Sequence, residues 1–304
     1  MTGDFTHAWQ RLCGQRFQSG VPMNTLTSIR TGGPAAWFLE AMNEDELALA
    51  WTTARKMGIP VLIVGKGSNL LVSDCGFDGL VIHLGAGFSR IRHEGERLFA
   101  QAGISLKQLA YYAADQHLAG LAFAAGIPGS LGGACLMNAG AYHGEMSQVI
   151  QSVRCLSPEG EFLTLSESEC ALSYRRSRMM DEGLMVLDVT LKLIPGKRDA
   201  LYATMAELQK MRQEKQPLSY PSAGSFFKRP PGYFAGALIE QAGLKGLTVG
   251  KAQVSELHAG FLINLGGATT DDFIALKDEV QRRVMARYGV QLEPEVRIIM
   301  DAGI

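Results

Sequence analysis

The sequence predicts an α+β protein built in two lobes, and three observations predict it. Short apolar runs end in glycine-bearing turns. A turn over residues 157–160 separates two strand-like segments, as an antiparallel hairpin requires. A long helical apolar stripe runs over residues 270–288. Hairpins beside crossovers fit α+β better than a uniform βαβ alternation. With 304 residues the chain can form two domains, each of about 100–200 residues.

In chain order, residues 44–57 read as a helix with Asn43 as N-cap and Gly58 beyond its end. Residues 59–64, IPVLIV, form a buried strand entering the turn GKGSN, and 79–84 form another strand. A short helix over 105–117 carries Leu106, Leu109 and Ala113 on one face. Segments 149–156 and 161–165 form the hairpin, and Ser166 and Glu169 have capping-box spacing for a short helix. Residues 184–194, LMVLDVTLKLI, make a long strand, and 195–197 are the best internal boundary. Beyond it come a helix over 199–215 stopped by Pro217, a Pro/Ser/Gly-rich loop over 217–232 and a short helix over 234–241. A strand at 261–265 precedes the helix 270–288, whose stripe is Phe273, Leu276, Val280, Val284 and Tyr288, with Gly289 past its end. Residues 296–300 form the last strand, and no internal repeat is present.

Composition narrows the function. The chain is 47% hydrophobic and 19% charged with net charge −1, so no global basic field points to nucleic acid or a membrane surface. Its first residues lack a basic region followed by an apolar core, which argues against a signal peptide and for a cytoplasmic protein. The longest stretch free of Asp, Glu, Lys and Arg runs from Gln116 to Gly144, but its glycines, Pro128, Asn138, His117 and His143 are wrong for a membrane helix. Cys13, Cys75, Cys135, Cys155 and Cys170 are odd in number and form no CxxC, so reduced thiols and no metal site are expected.

Five motifs carry the candidate chemistry. Residues 126–145, GIPGSLGGACLMNAGAYHGE, are too rich in glycine for an ordinary helix or strand. They either bring backbone N–H groups up to an anion or let two backbones cross closely. Residues 65–69, GKGSN, follow a strand and can present amides to a phosphate, or form a plain tight turn. They match neither a Walker A loop nor GxGxxG. SYRRSR at 173–178 is either a solvated basic face or a guanidinium fork for a carboxylate or phosphate. PSAGSFFKRP at 221–230 holds Ser225, Lys228 and Arg229, and EPEVR at 293–297 holds Glu295 and Arg297. A capping serine and a surface ion pair are the plain alternatives. No GxSxG, HExxH or DxDxDG occurs.

Together with NTLTSIRTGG, GKGSNLLV, AGALIEQAGLKG, AQVSELHAGFLIN and LEPEVRII, these motifs resemble the UDP-N-acetylenolpyruvoylglucosamine reductases, flavoenzymes of peptidoglycan precursor synthesis. The resemblance runs from Asn24 to Ile299. It implies a vanillyl-alcohol-oxidase-type FAD-binding domain in two lobes plus a C-terminal α+β substrate-binding domain. The expected division is an extension over 1–21, the FAD domain over 22–196 and the substrate domain over 197–304, with the last strand free to return to the FAD domain. The chain resembles the family's shorter type, without an extra tyrosine loop. NADPH as co-substrate, a UDP-sugar enolpyruvyl ether as substrate and a monomeric state are further implied.

Carried over by motif, Gly65, Gly67, Ser68 and Asn69 lie along the FAD pyrophosphate. Gly126, Ile127, Gly129, Gly132, Gly133, Asn138 and Gly140 line the rest of the flavin site, with Arg30 and Arg212 on looser patterns. Arg175 matches the arginine at the enolpyruvyl carboxylate, Ser225 the proton-donating serine and Glu295 the catalytic glutamate. Lys228, Arg229 and Arg297 face substrate carboxylate or diphosphate. Ala122, His143 and Lys251 depart from the family pattern without removing a catalytic group. The competing readings are a flavin oxidase or dehydrogenase of the same fold acting on an alcohol or sugar, and a non-enzymatic nucleotide-binding module.

Overall fold

A computed structural model describes residues 2–300, with backbone alone for 2–5 and 8. It divides into two compact units: residues 2–18, 38–66 and 80–212, and residues 19–37, 67–79 and 213–300.

The first unit is organised by a five-stranded antiparallel sheet. Its order is Phe162–Ser166, Ile150–Leu156, Met185–Lys192, Arg97–Gln101, Ile91–Glu94. The hairpin expected from the turn at 157–160 is its first pair, in register from Ser152 opposite Ser166 to Leu156 opposite Phe162. Val153, Cys155, Val189, Leu191, Leu98 and Ala100 are buried from this sheet. The 91–94 and 97–101 strands are absent from the sequence expectations, because the outer one is exposed along most of its length and shows no apolar alternation. The Glu44–Lys56 helix forms with Asn43 as cap, its Oδ1 accepting from Glu46 N at 2.9 Å. Trp51 of this helix donates from Nε1 to Ser157 O at 2.8 Å, tying the helix to the hairpin turn. The Val61–Val64 strand pairs in parallel with Leu80–His83 of the strand Phe77–His83.

Two expectations in this unit are corrected. The glycine-rich segment does contain a helix, Leu131–Leu136, seated against the 185–192 strand with Leu131, Ala134 and Cys135 buried. Burial of its apolar face overrides the low helix propensity of two glycines. The helix expected after Ser166 is instead a single 3-10 turn, Ser168–Cys170. Glu169 does accept from Ser166 N and Oγ, at 2.8 and 2.6 Å, but Ala171 enters the left-handed region at φ 46° and stops the turn.

The second unit contains a four-stranded sheet in the order Ser222–Ser225, Phe261–Asn264, Ala252–Val254, Thr248–Val249, all antiparallel. The helix Thr270–Tyr288 has the predicted bounds; Phe273, Leu276, Val280 and Val284 are fully buried, and Gly289 caps it at φ 66°. That stripe shares one core with Phe226, Val254, Leu262 and Val296. A parallel pair joins Leu70–Val72 to Arg297–Ile299, Arg297 opposite Leu70. All five cysteines are free thiols, and Cys75 alone is exposed. Among the described residues no helix is long and apolar enough to cross a membrane.

Candidate active site

GKGSN leaves the 61–64 strand as a tight loop. Gly67 adopts φ 57°, and a Cβ there would stand 1.8 Å from Leu26 O, so only glycine fits. Among the described residues the backbone amides of Lys66, Gly67, Ser68 and Asn69 donate to no protein acceptor. A run of unpaired N–H groups in a tight loop is an anion cradle. Asn69 is also a fastener: its Nδ2 donates to Glu295 O at 3.1 Å, and its carbonyl accepts from Arg297 N at 3.0 Å.

The segment 126–145 uses its glycines differently. Gly132 donates to Ala102 O at 2.8 Å, and a Cβ on it would meet Ala102 Cβ at 2.9 Å. Gly129 donates to Ile127 O and accepts from Leu106 N, both at 2.9 Å. Gly140 sits in a small hairpin opposite Glu145. A Cβ on Gly65 would fall 2.1 Å from Ser130 Oγ, so the start of GKGSN is pressed against this segment. Close backbone crossing, one of the two readings of this stretch, is therefore realised. Gly126 is covered by Arg212, whose Cδ would lie 2.6 Å from an added Cβ. Burial lowers the Arg212 pKa, and no carboxylate among the described residues pairs with it. A desolvated guanidinium without an acid fits an anionic ligand. The unpaired amides suit the diphosphate of a cofactor.

The same segment anchors the arginine motif. Ser173 and Arg176 exchange backbone hydrogen bonds of 3.0 and 3.2 Å, leaving Tyr174 and Arg175 at the tip of a tight turn with Arg175 at φ 55°. Asn138, 1% exposed, donates from Nδ2 to Ser173 O at 3.3 Å and accepts at Oδ1 from Ser147 N at 2.9 Å. Ser177, on the other side of the turn, donates to Leu136 O at 2.8 Å. Arg175 is half-buried, its guanidinium 4.9 Å from the Tyr174 ring centroid.

In the second unit Ser225 and Glu295 are neighbours. Ser225 ends the 222–225 strand after an irregular register, with Gly224 at φ 79° turning the backbone. Glu295 N donates to Phe226 O at 2.8 Å, Lys228 N donates to Glu293 O at 2.8 Å, and Phe227 bridges Pro294. This short ladder sets the SFFK and EPE segments side by side. Ser225 is exposed and Glu295 half-buried. Lys228 is bonded to Glu293 at 3.3 Å, and Arg229 stacks 4.5 Å from the Phe234 ring. Arg297 is exposed at the start of the 297–299 strand. Arg30 is exposed at φ 61° on the turn that follows Thr27. Sequence reasoning missed Ser130 and His83 as partners of Gly65; a polar His closing an otherwise apolar strand end was the available signal for the second.

Residues 35–166 match the family described as FAD binding domain, so the chain is an FAD-binding oxidoreductase. Residues 216–299 match UDP-N-acetylenolpyruvoylglucosamine reductase, C-terminal domain. The UDP-N-acetylenolpyruvoylglucosamine reductase of Lachnoclostridium phytofermentans is 46% identical over 289 residues, covering 94% of this chain and 93% of its own. That of Heliobacterium modesticaldum is 44% identical over 304 residues, covering 100% and 94%. The crystal structure of UDP-N-acetylenolpyruvylglucosamine reductase from Thermus caldophilus superposes with a TM-score of 0.80 at 34% identity, covering 93% of this chain and 99% of that one. The chain belongs to the UDP-N-acetylenolpyruvoylglucosamine reductase family.

Proposed function

We propose that the chain catalyses the NADPH-dependent reduction of UDP-N-acetylglucosamine enolpyruvate to UDP-N-acetylmuramate in peptidoglycan precursor synthesis. The observation that carries this reading is the juxtaposition of Ser225 and Glu295 by the Phe226–Glu295 backbone bond, in a chain alike to such reductases over nearly its full length. The chemistry supplied by bound FAD is hydride transfer from NADPH to the enolpyruvyl group.

Gly65, Gly67, Ser68 and Asn69 hold its diphosphate. Gly126, Ile127, Gly129, Gly132, Gly133, Asn138 and Gly140 line the remainder, more by leaving room than by donating. Arg212 and Arg30 offer cationic contacts. Arg175 binds the substrate carboxylate, and Glu295 donates a hydrogen bond there as charge accumulates at C2 and the carboxylate. Ser225 Oγ delivers its proton to C2. Lys228, Arg229 and Arg297 receive the substrate's diphosphate or carboxylate. Residues 22–196 bind FAD and 197–304 the substrate, as in the shorter type of the family. The protein works as a cytoplasmic monomer with no nucleic-acid or membrane partner.

Ser225→Ala tests the reading. Flavin bleaching by NADPH stays near the wild-type rate, while reoxidation by substrate slows about 10²–10³-fold, the scale for losing one transition-state donor. Stopped-flow absorbance separates the two half-reactions. Equal slowing of both removes Ser225 from the proton-donor role.

A further inference from the structure

His83 ends the strand Phe77–His83 beside the first residue of GKGSN. Its Nδ1 meets Glu40 Oε2 in a short contact, and its Nε2 meets Gly65 O at 3.1 Å. Both partners are acceptors. A neutral imidazole donates from one nitrogen only, so against an ionised Glu40 both bonds form together only on a ring protonated at Nδ1 and Nε2. The surroundings are built for the bridge. A Cβ at Gly85 would lie 2.4 Å from Glu40 Oε1 and 2.8 Å from His83 Cε1, so glycine there leaves the pair its space. The Phe38 ring stacks on the imidazole with centroids 6.1 Å apart. Ala41 N donates to His83 O at 3.2 Å, and Leu84 N to Val64 O at 2.9 Å, which fixes the backbone on both sides.

We infer that His83, bridging Glu40 and the Gly65 carbonyl, is a positioning residue that aims the GKGSN amides and makes FAD retention depend on its protonation. The inference rests on the reading that GKGSN holds the FAD diphosphate. Gly65 is the residue whose peptide plane opens the loop, and Ser130 presses on its other side. Holding the Gly65 carbonyl therefore orients the amides that follow it. When the ring loses a proton, the remaining N–H stays with the Glu40 carboxylate, because a charge-assisted bond is the stronger one. Nε2 then turns a lone pair toward Gly65 O, and the loop loses its tether. Among the described residues Glu40 is the charged side chain bonded to the ring, which also meets Phe38, Gly65 and Gly85; the cation nearby is Arg16, whose Nη1 donates to Glu40 O at 3.3 Å.

The experiment measures FAD release from the full-length holoprotein on dilution, read as free-flavin fluorescence across pH. Wild type holds FAD less tightly at high pH than at low pH, and ¹⁵N-histidine NMR on the same sample reads which ring nitrogens of His83 carry a proton. His83→Asn keeps a donor toward Glu40 only and weakens retention about 10-fold or more at low pH, the scale of a hydrogen bond to a charged group. His83→Gln places a fixed donor at the Nε2 position, recovers part of that loss and flattens the pH profile. A role in packing alone moves both variants equally and leaves the profile unchanged. Ser68→Glu is the control for the loop, since it sets a negative charge beside the amides. If Ser68→Glu weakens retention while both His83 variants match wild type, the inference is overturned. If Ser68→Glu has no effect, the placement of the diphosphate on this loop fails instead. Melting curves of each variant confirm that it is folded.

Discussion

The two glycine-rich stretches share a composition and differ in what their backbones do. In GKGSN four consecutive amides, Lys66 to Asn69, have no acceptor among the described residues. In 126–145 the amides of Gly129 and Gly132 are already consumed by Ile127 O and Ala102 O. The first stretch offers donors and the second offers clearance. Glycine supplies both, by tolerating positive φ in one place and by omitting a Cβ in the other. Counting glycines therefore does not tell a loop with free donors from one that leaves room.

Gly67→Ala is the strongest way to test the gripping loop. It forces a side chain into φ 57° with a Cβ 1.8 Å from Leu26 O. We expect a loss of about 3 kcal/mol in stability together with loss of FAD, measured by chemical denaturation and flavin fluorescence. Full FAD retention in a folded variant would remove the donor role of this loop.

Asn138→Ala probes the second stretch through the substrate half-reaction. Its two bonds go to Ser173 O, which also accepts from Arg176 N, and to Ser147 N, so truncation strands the half-buried Ser147 amide and costs about 1–2 kcal/mol. Arg175 rides on the turn that begins at Ser173. Substrate reoxidation of the flavin should therefore slow while its reduction by NADPH is unchanged, as stopped-flow absorbance reads. Normal reoxidation in the destabilised variant would mean that Ser177, through Leu136 O, sets the turn alone.

These cases also mark what was legible in the sequence. The 270–288 helix could be read to the residue, because an apolar stripe and Gly289 agree, and the structure adds Thr269 as its cap. The helix 131–136 could not, since two glycines hide a segment whose stability comes from tertiary burial. The hairpin 91–101 was invisible because its outer strand is mostly exposed. At the site, the glycines were legible by composition. Arg175, Ser225 and Glu295 were legible only through the family resemblance: each is an ordinary residue in an ordinary loop until the bonds among residues 226, 227, 293, 294 and 295 set two of them side by side.

The smallest effect is the most discriminating. Gly133 lies inside the 131–136 helix, and the nearest atom to an added Cβ is Ser130 Oγ at 3.6 Å, an ordinary contact. Gly133→Ala therefore introduces no clash within the protein, and alanine restricts the unfolded chain more than glycine does. The apoprotein should gain about 0.5–1 kcal/mol, seen as a higher midpoint of thermal unfolding. If the segment gives clearance to the flavin, the same methyl group intrudes on that space and FAD binds more weakly, so the stabilised apoprotein becomes the poorer holoprotein. Opposite signs in the two measurements are the signature of a residue that makes room. A gain in both would place Gly133 outside the flavin site and confine the role of clearance to Gly126, Gly132 and Gly140.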